Sequence, residues 1–251
     1  MSQRDLTDLL RQWRHEAGRI NARRFAGDDG REKIQVRIPL GVLQMELDGR
    51  PDGDRPEGCE SLLDYQTERL EHHRRASGSA AGFVLTPEEC RALREEAVQY
   101  YHRYVALFAL ADYANVVRDA NRNLRVVELC RRHAATEQDR AILEQFFRPH
   151  VIMMRVRAEA ENALAERDLR RALAAIDGGL DEIRVALEAT GRAGEYDQSN
   201  EVQLLRGMRD ALIPKLPASQ RVELQERLRA AIDSENYELA AILRDELRLL
   251  E

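Results

Sequence analysis

Four groups of residues in this 251-residue chain are of types that could do chemistry. Asp48, Asp52, Gly53 and Asp54 fall close to the ligand positions of a calcium-binding EF-hand loop. The third position is Arg50, however, and the twelfth is Cys59 where a glutamate is needed, so calcium is rejected. His72 and His73 are adjacent and cannot face the same side of a helix, which argues against a shared metal. Cys59, Cys90 and Cys130 are odd in number and lack CxxC spacing. They imply a reducing compartment, with neither a disulfide framework nor a zinc ribbon. His102, Asp112, Asp119 and Asn123 have the polarity for acid–base work. Isolated polar residues on a long buried helix are more often hydrogen-bonded parts of the scaffold. With no nucleophile–base pair and no glycine-rich phosphate loop, the expectation is a protein that is not an enzyme, with no catalytic residues, cofactor or metal.

Charge narrows the field further. A third of the residues are charged, yet the net charge is −6, and nearly all the positive charge is arginine, the lysines being Lys33 and Lys215. A phosphate-binding domain is usually basic overall or along one stripe. Nucleic-acid binding through the arginines near the N-terminus and through Arg74, Arg75, Arg131 and Arg132 is therefore the weaker alternative. The sequence begins without a signal-peptide core, and no apolar run approaches the roughly 20 residues that span a bilayer. A cytoplasmic protein is expected.

The elements that would position these groups follow from periodicity. Leu6, Leu9, Leu10, Trp13, Ala17 and Ile20 recur at helical spacing and predict an amphipathic helix that ends at AGDDG. Ile34, Val36 and Ile38 then alternate with Gln35 and Arg37, as in a half-buried strand, and VLQMEL returns as a second one. The stretch DGRPDGDRPEG is dense in turn-forming residues. It is either a tight-turn device or a recognition loop that presents Arg50 and Asp52. CESLLDYQTERLEHHRRA resumes helical spacing, and SGSAAG reads as a linker. Thr86, Pro87 and Glu89 form a capping box that opens a long helical body. Within it, residues near 158–183 resemble one tetratricopeptide-type repeat, carried by Ala163, Leu164, Ala172, Leu173, Ile176 and Leu180, which implies a helix hairpin.

Residues 218–251 predict two helices joined by the polar corner DSEN. Leu224, Leu228, Ala231 and Ile232 form the stripe of the first helix, with Ser219 a candidate N-cap. Tyr237, Ala240, Ala241, Ile242 or Leu243, Leu247 and Leu250 form that of the second. Alanines at 231, 240 and 241 permit close approach of two helices. The string YELAAILRDEL resembles the UVR motif, the helical hairpin of the excision-repair proteins UvrB and UvrC. Tyr237, Glu238, Ala240, Ala241, Arg244, Asp245 and Leu247 meet its pattern, and Leu224 and Leu228 match upstream. The resemblance implies a protein–protein contact element that pairs with a like hairpin in a partner or with a second copy. Its partner-binding residues would be Leu224, Leu228, Tyr237, Glu238, Ala241, Arg244, Asp245, Leu247 and Leu250. No helicase P-loop, nuclease domain, AAA+ motif or paired CxxC site accompanies it.

The expected architecture is mainly α. Residues 1–76 carry a helix, a β-hairpin and a helix, 77–85 a linker, 86–213 a helical body, and 218–251 the antiparallel hairpin. The expected function is that of a non-enzymatic adaptor, with no membrane contact. The alternative is a DNA-repair accessory protein that binds nucleic acid through its arginine-rich faces.

Overall fold

A computed structural model describes residues 5–215 and 218–248. The chain divides into two compact units, Met1–Ala158 and Glu159–Glu251. The boundary falls inside a helix.

The first unit opens with a short helix, α1 (Thr7–Gln12), then an antiparallel three-stranded sheet in the order β1 (Asn21–Ala26), β2 (Glu32–Ile38), β3 (Gly41–Glu46). This corrects two expectations. The long first helix stops after one and a half turns, and a third strand joins the anticipated hairpin. Gly18, at φ +81°, turns the chain in a conformation that other residues resist. Asn21 then fixes the entry to β1 by donating to the carbonyls of Glu16 (2.8 Å) and Arg19 (2.9 Å). Pairing of Asn21 with Arg37 and of Ala26 with Glu32 places β1 on the edge of β2. The helical spacing of Ala17 and Ile20 is coincidental, since both lie exposed in the connection between α1 and β1. Ile34 and Met45 are buried on one face of the sheet. On the other, Gln35 accepts from Arg23 (2.7 Å) and donates to Gln44 (3.0 Å), while the Arg23 guanidinium lies 4.2 Å over the Trp13 ring.

Helix α2 (Leu62–Ser77) is capped by Ser61, whose hydroxyl accepts from the Asp64 amide, and it ends at Gly78 in the left-handed region. Helices α3 (Pro87–Ala109) and α4 (Tyr113–His133) form the antiparallel centre of the unit. Both halves of the Thr86–Glu89 capping box are present. The segment expected as a linker contributes to the core: Phe83 is buried and Leu85 is inaccessible. Leu85 hydrogen-bonds to the carbonyl of His133 (2.8 Å) and the amide of Ala135 (2.9 Å), so the start of α3 is tied to the end of α4. Helix α5 (Glu137–Ile142) and a π-helical turn, Leu143–Phe147, lead into α6 (Arg148–Ala165).

The second unit takes the end of α6, then α7 (Leu169–Ala189), α8 (Asn200–Leu212), α9 (Ala218–Asp233) and α10 (Tyr237–Arg248). Arg167, at φ +61°, turns the corner from α6 to α7, and the Asp168 carboxylate caps α7 at the Arg171 amide (2.9 Å). Ala163, Ala172 and Ile176 are fully buried there, as expected of a close helix hairpin.

Candidate interaction surface

Asp112, Asp119 and Asn123, three of the polar residues with the chemistry for acid–base work, are engaged in hydrogen bonds or ion pairs within the first unit. Arg103 and Asp119, each 1 % exposed, form a two-pronged ion pair at 2.7 and 2.9 Å. The same guanidinium donates to the carbonyls of Glu46 (3.1 Å) and Gly49 (2.8 Å), which fastens the turn-rich segment after β3 onto α3 and α4. Arg118 adds bonds to the Leu47 carbonyl (2.8 Å) and to Asp48 (2.7 Å). Asn123 donates to the Ala97 carbonyl at 2.9 Å. Asp112 pairs with Arg24 and accepts from Asn115, and His102 packs edge-on against Tyr101.

Arg50 and Asp52 of the candidate recognition loop lie close together, at 3.0 Å. Arg50 also reaches Glu96 (3.5 Å), and Asp52 accepts from Gln99 at 2.8 Å. Glu96, wholly buried, pairs in turn with Arg122 and accepts the amides of Leu62 (2.7 Å) and Leu63 (3.3 Å) at the start of α2. A carboxylate at a helix N-terminus meets both free amides and the positive end of the dipole. Between Arg103 and Arg122 lies the Tyr100 ring, 4.7 and 4.0 Å from the two guanidinium carbons, and burial pushes its hydroxyl up to about 12. Among the described residues no cluster of three or more histidines, cysteines or acids could hold a metal ion. No described helix is long and apolar enough to cross a membrane.

The C-terminal hairpin is built differently, because its two faces have different occupants. The corner is made by Glu235 at φ +56°, with the Asn236 amide bonded back to the Ala231 carbonyl at 2.9 Å. This is the six-to-one bond of a helix end closed by a left-handed residue. The Asn236 side chain then caps α10 at the Leu239 amide (3.2 Å). Inward, Leu224, Ala231, Ala240 and Leu243 are buried in one cluster with Ile213, flanked by Leu169, Leu173, Leu228 and Leu247. Ala231 and Ala240 thus do what small residues near a corner were expected to do. Outward, Tyr237 is 69 % exposed and Ile232 is 50 % exposed. Arg244 and Asp245 also face solvent and contact each other at 3.3 Å.

The residues expected to bind a partner therefore divide. Leu224 is interior, and Leu228 and Leu247 flank the same cluster. Tyr237, Glu238, Arg244 and Asp245 are exposed. Ala241 is half-buried on the wall of a groove of about 1050 Å³ between the hairpin, α7 and α8. Leu250 and the side chain of Ser219 lie outside the described residues. Leu173, Leu180, Leu239 and Ile242 give the groove apolar walls. Ion pairs cross from the body to the hairpin around it: Arg170 with Glu223, Arg184 with Glu238 (3.4 Å), and Arg209 with Glu246. Burial raises the Glu246 carboxyl, an effect opposed by Arg209. The body-side partners Arg170, Arg184 and Arg209 were missed in sequence. What could have marked the inner face is the three- and four-residue spacing of Ala240, Leu243 and Leu247.

The hairpin is thus a two-helix element with a buried inner face and an exposed face that carries an aromatic residue and a charge pair. Residues 219–251 match the family model described as the UvrB/uvrC motif, UVR, so the chain carries a UVR motif confined to its C-terminal segment. Neither the comparison with curated proteins nor that with solved structures returned a match.

Proposed function

We propose that the protein is a cytoplasmic adaptor that works by binding rather than catalysis. Its UVR hairpin captures a protein partner that bears a like hairpin, or a second copy of the chain. The observation that carries this reading is the division of the hairpin: the residues that hold it to its own body are Leu224, Ala240 and Leu243, and those left facing water include Tyr237, Arg244 and Asp245. Exposed aromatic and arginine side chains beside an apolar patch are the usual anchors of protein interfaces. The motif's Glu238 is 81 % exposed at its side chain and meets Arg184 at 3.4 Å, a surface pair of little energetic consequence that a partner could replace.

The nucleic-acid alternative draws less support from the arginines it would need. Arg131 and Arg132 are both paired with Glu128, and Arg74 with Glu71. Phosphate contact would have to displace these acids.

Light scattering coupled to size exclusion over a range of concentrations tests the reading, with full-length protein compared with Tyr237→Ala and Arg244→Glu. Concentration-dependent dimerisation, or capture of a UVR-bearing partner, that is lost in both variants while the fold is retained supports it. Association that is unchanged in the variants, or steeply salt-dependent DNA binding without any protein partner, overturns it.

A further inference from the structure

Two of the three cysteines, unpromising in sequence, come together in space. Helices α3 and α4 run antiparallel, and Asn123 of α4 bonds to the Ala97 carbonyl of α3 at 2.9 Å. Cys90 lies seven residues before Ala97, and Cys130 seven residues after Asn123. Seven residues are about two turns of helix, so both positions return to the facing sides. Just beyond them the Leu85 bonds to His133 and Ala135, at 2.8 and 2.9 Å, close that end of the helix pair. Between these two anchors Cys90 and Cys130 are both inaccessible to solvent and belong to one core cluster. Nothing in the proposed hairpin function uses them.

We propose that Cys90 and Cys130 are a redox site that forms a reversible disulfide with hydrogen peroxide as oxidant, tying the first turn of α3 to the last turn of α4. The Cys90 thiolate attacks one peroxide oxygen and the O–O bond breaks. The departing hydroxide takes up the proton that Cys90 released, giving water and a sulfenic acid on Cys90. The Cys130 sulfur then attacks the Cys90 sulfur, the S–O bond breaks, and hydroxide leaves with the Cys130 proton as a second water. One peroxide is reduced to two waters, and two thiols are oxidised to one disulfide. The order of attack follows from the pair: the neighbouring Cys130 thiol favours the Cys90 thiolate, whereas proximity to Cys90 and burial push the Cys130 thiol up. Cys90 also stands in the first turn of α3, where the helix dipole favours a thiolate. Cys59, the odd thiol, lies in the connection before α2, 3.6 Å from the Glu68 carboxylate, and burial followed by that carboxylate raises it. Burial of the pair excludes bulky reagents and leaves access to a molecule as small as peroxide by local opening.

The experiment uses the full chain carrying Cys59→Ser, incubated with hydrogen peroxide, then unfolded, alkylated with iodoacetamide and mapped by mass spectrometry. Both alkylation sites should disappear together, a linked peptide pair containing Cys90 and Cys130 should appear, and dithiothreitol should restore both thiols. Adding Cys90→Ser should leave Cys130 fully alkylatable after the same treatment. The proposal is overturned if both thiols survive prolonged exposure, if Cys90 passes to sulfinic acid without linkage, or if linkage occurs only when peroxide is added to unfolded protein.

Discussion

Truncating Leu243 to alanine should release the C-terminal hairpin while leaving the first unit folded. Leu243 is 2 % exposed, and its neighbours Ile213, Leu224, Ala231 and Ala240 are likewise buried. Removing a buried leucine side chain costs about 2–5 kcal/mol, depending on how far the surroundings collapse into the space. Leu228 and Leu247 flank this cluster and are only half-buried, so partial collapse is available and the lower half of that range applies. At about 3 kcal/mol the docking equilibrium shifts roughly a hundredfold toward the open hairpin. The neighbouring substitution Ile242→Ala is the internal control. Ile242 is 45 % exposed on the groove wall, so its loss should cost under about 1 kcal/mol. Native-state hydrogen exchange read by mass spectrometry over 218–248 distinguishes the two. A large rise in exchange in α9 and α10 for Leu243→Ala, with little for Ile242→Ala and none in α3 or α4, is the expected pattern. Equal effects of the two substitutions would refute the assignment of inner and outer faces.

Two further outcomes follow from the first unit. Arg103→Ala leaves the buried Asp119 carboxylate to Arg118 alone (3.0 Å) and strands the carbonyls of Glu46 and Gly49, and should cost about 3 kcal/mol by urea unfolding. Replacing both partners, Arg103→Met with Asp119→Leu, should cost clearly less, and equal losses would refute an under-paired buried charge as the cause. Acid should weaken the same unit. Burial alone would raise Glu89, but the Thr86 amide and Arg69 hold it below its ordinary value; Asp139 is lowered by the Thr136 hydroxyl and by Arg94. Carboxyls lowered by folding give stability that is fully present above their unfolded values and is lost as pH falls through the folded ones, so the loss belongs below about pH 4. Circular dichroism during urea unfolding at stepped pH should show this, with a shallower fall in Asp139→Asn. A flat response between pH 6 and pH 3 would contradict it.

How much of this was legible depended on how local the cause was. The α3 capping box, the α6–α7 corner and the two C-terminal helices are set by residues a few positions apart, and periodicity finds them. Strand β1 was hidden because its partner is β2, and because Ala17 and Ile20 happen to continue a helical count past Gly18. The SGSAAG stretch reads as flexible by composition, yet Phe83 and Leu85 just after it are core residues, held by contacts to α4 that no local rule contains. Arg103–Asp119 and Arg50–Glu96 are invisible for the same reason. Their effect is to convert a turn-rich loop with the composition of a recognition site into one fastened to the helices beneath it.

The hairpin illustrates the same limit from the other side. Its motif residues stand out in sequence because an exposed aromatic, an adjacent charge pair and paired alanines are an unusual combination on twelve residues of helix. Which of them face inward is decided by α7 and α8. Arg209 meets Glu246, Arg184 meets Glu238, and Leu169 and Leu173 flank the cluster that receives Leu243. Two helices this short could not hold their shape unaided. Docking on the body therefore supplies the hairpin's order, and it does so with Ala240 and Leu243 while Tyr237 and Arg244 stay free of the interior. The residues that fix the hairpin in its own unit and those that face solvent therefore fall on different sides of α10.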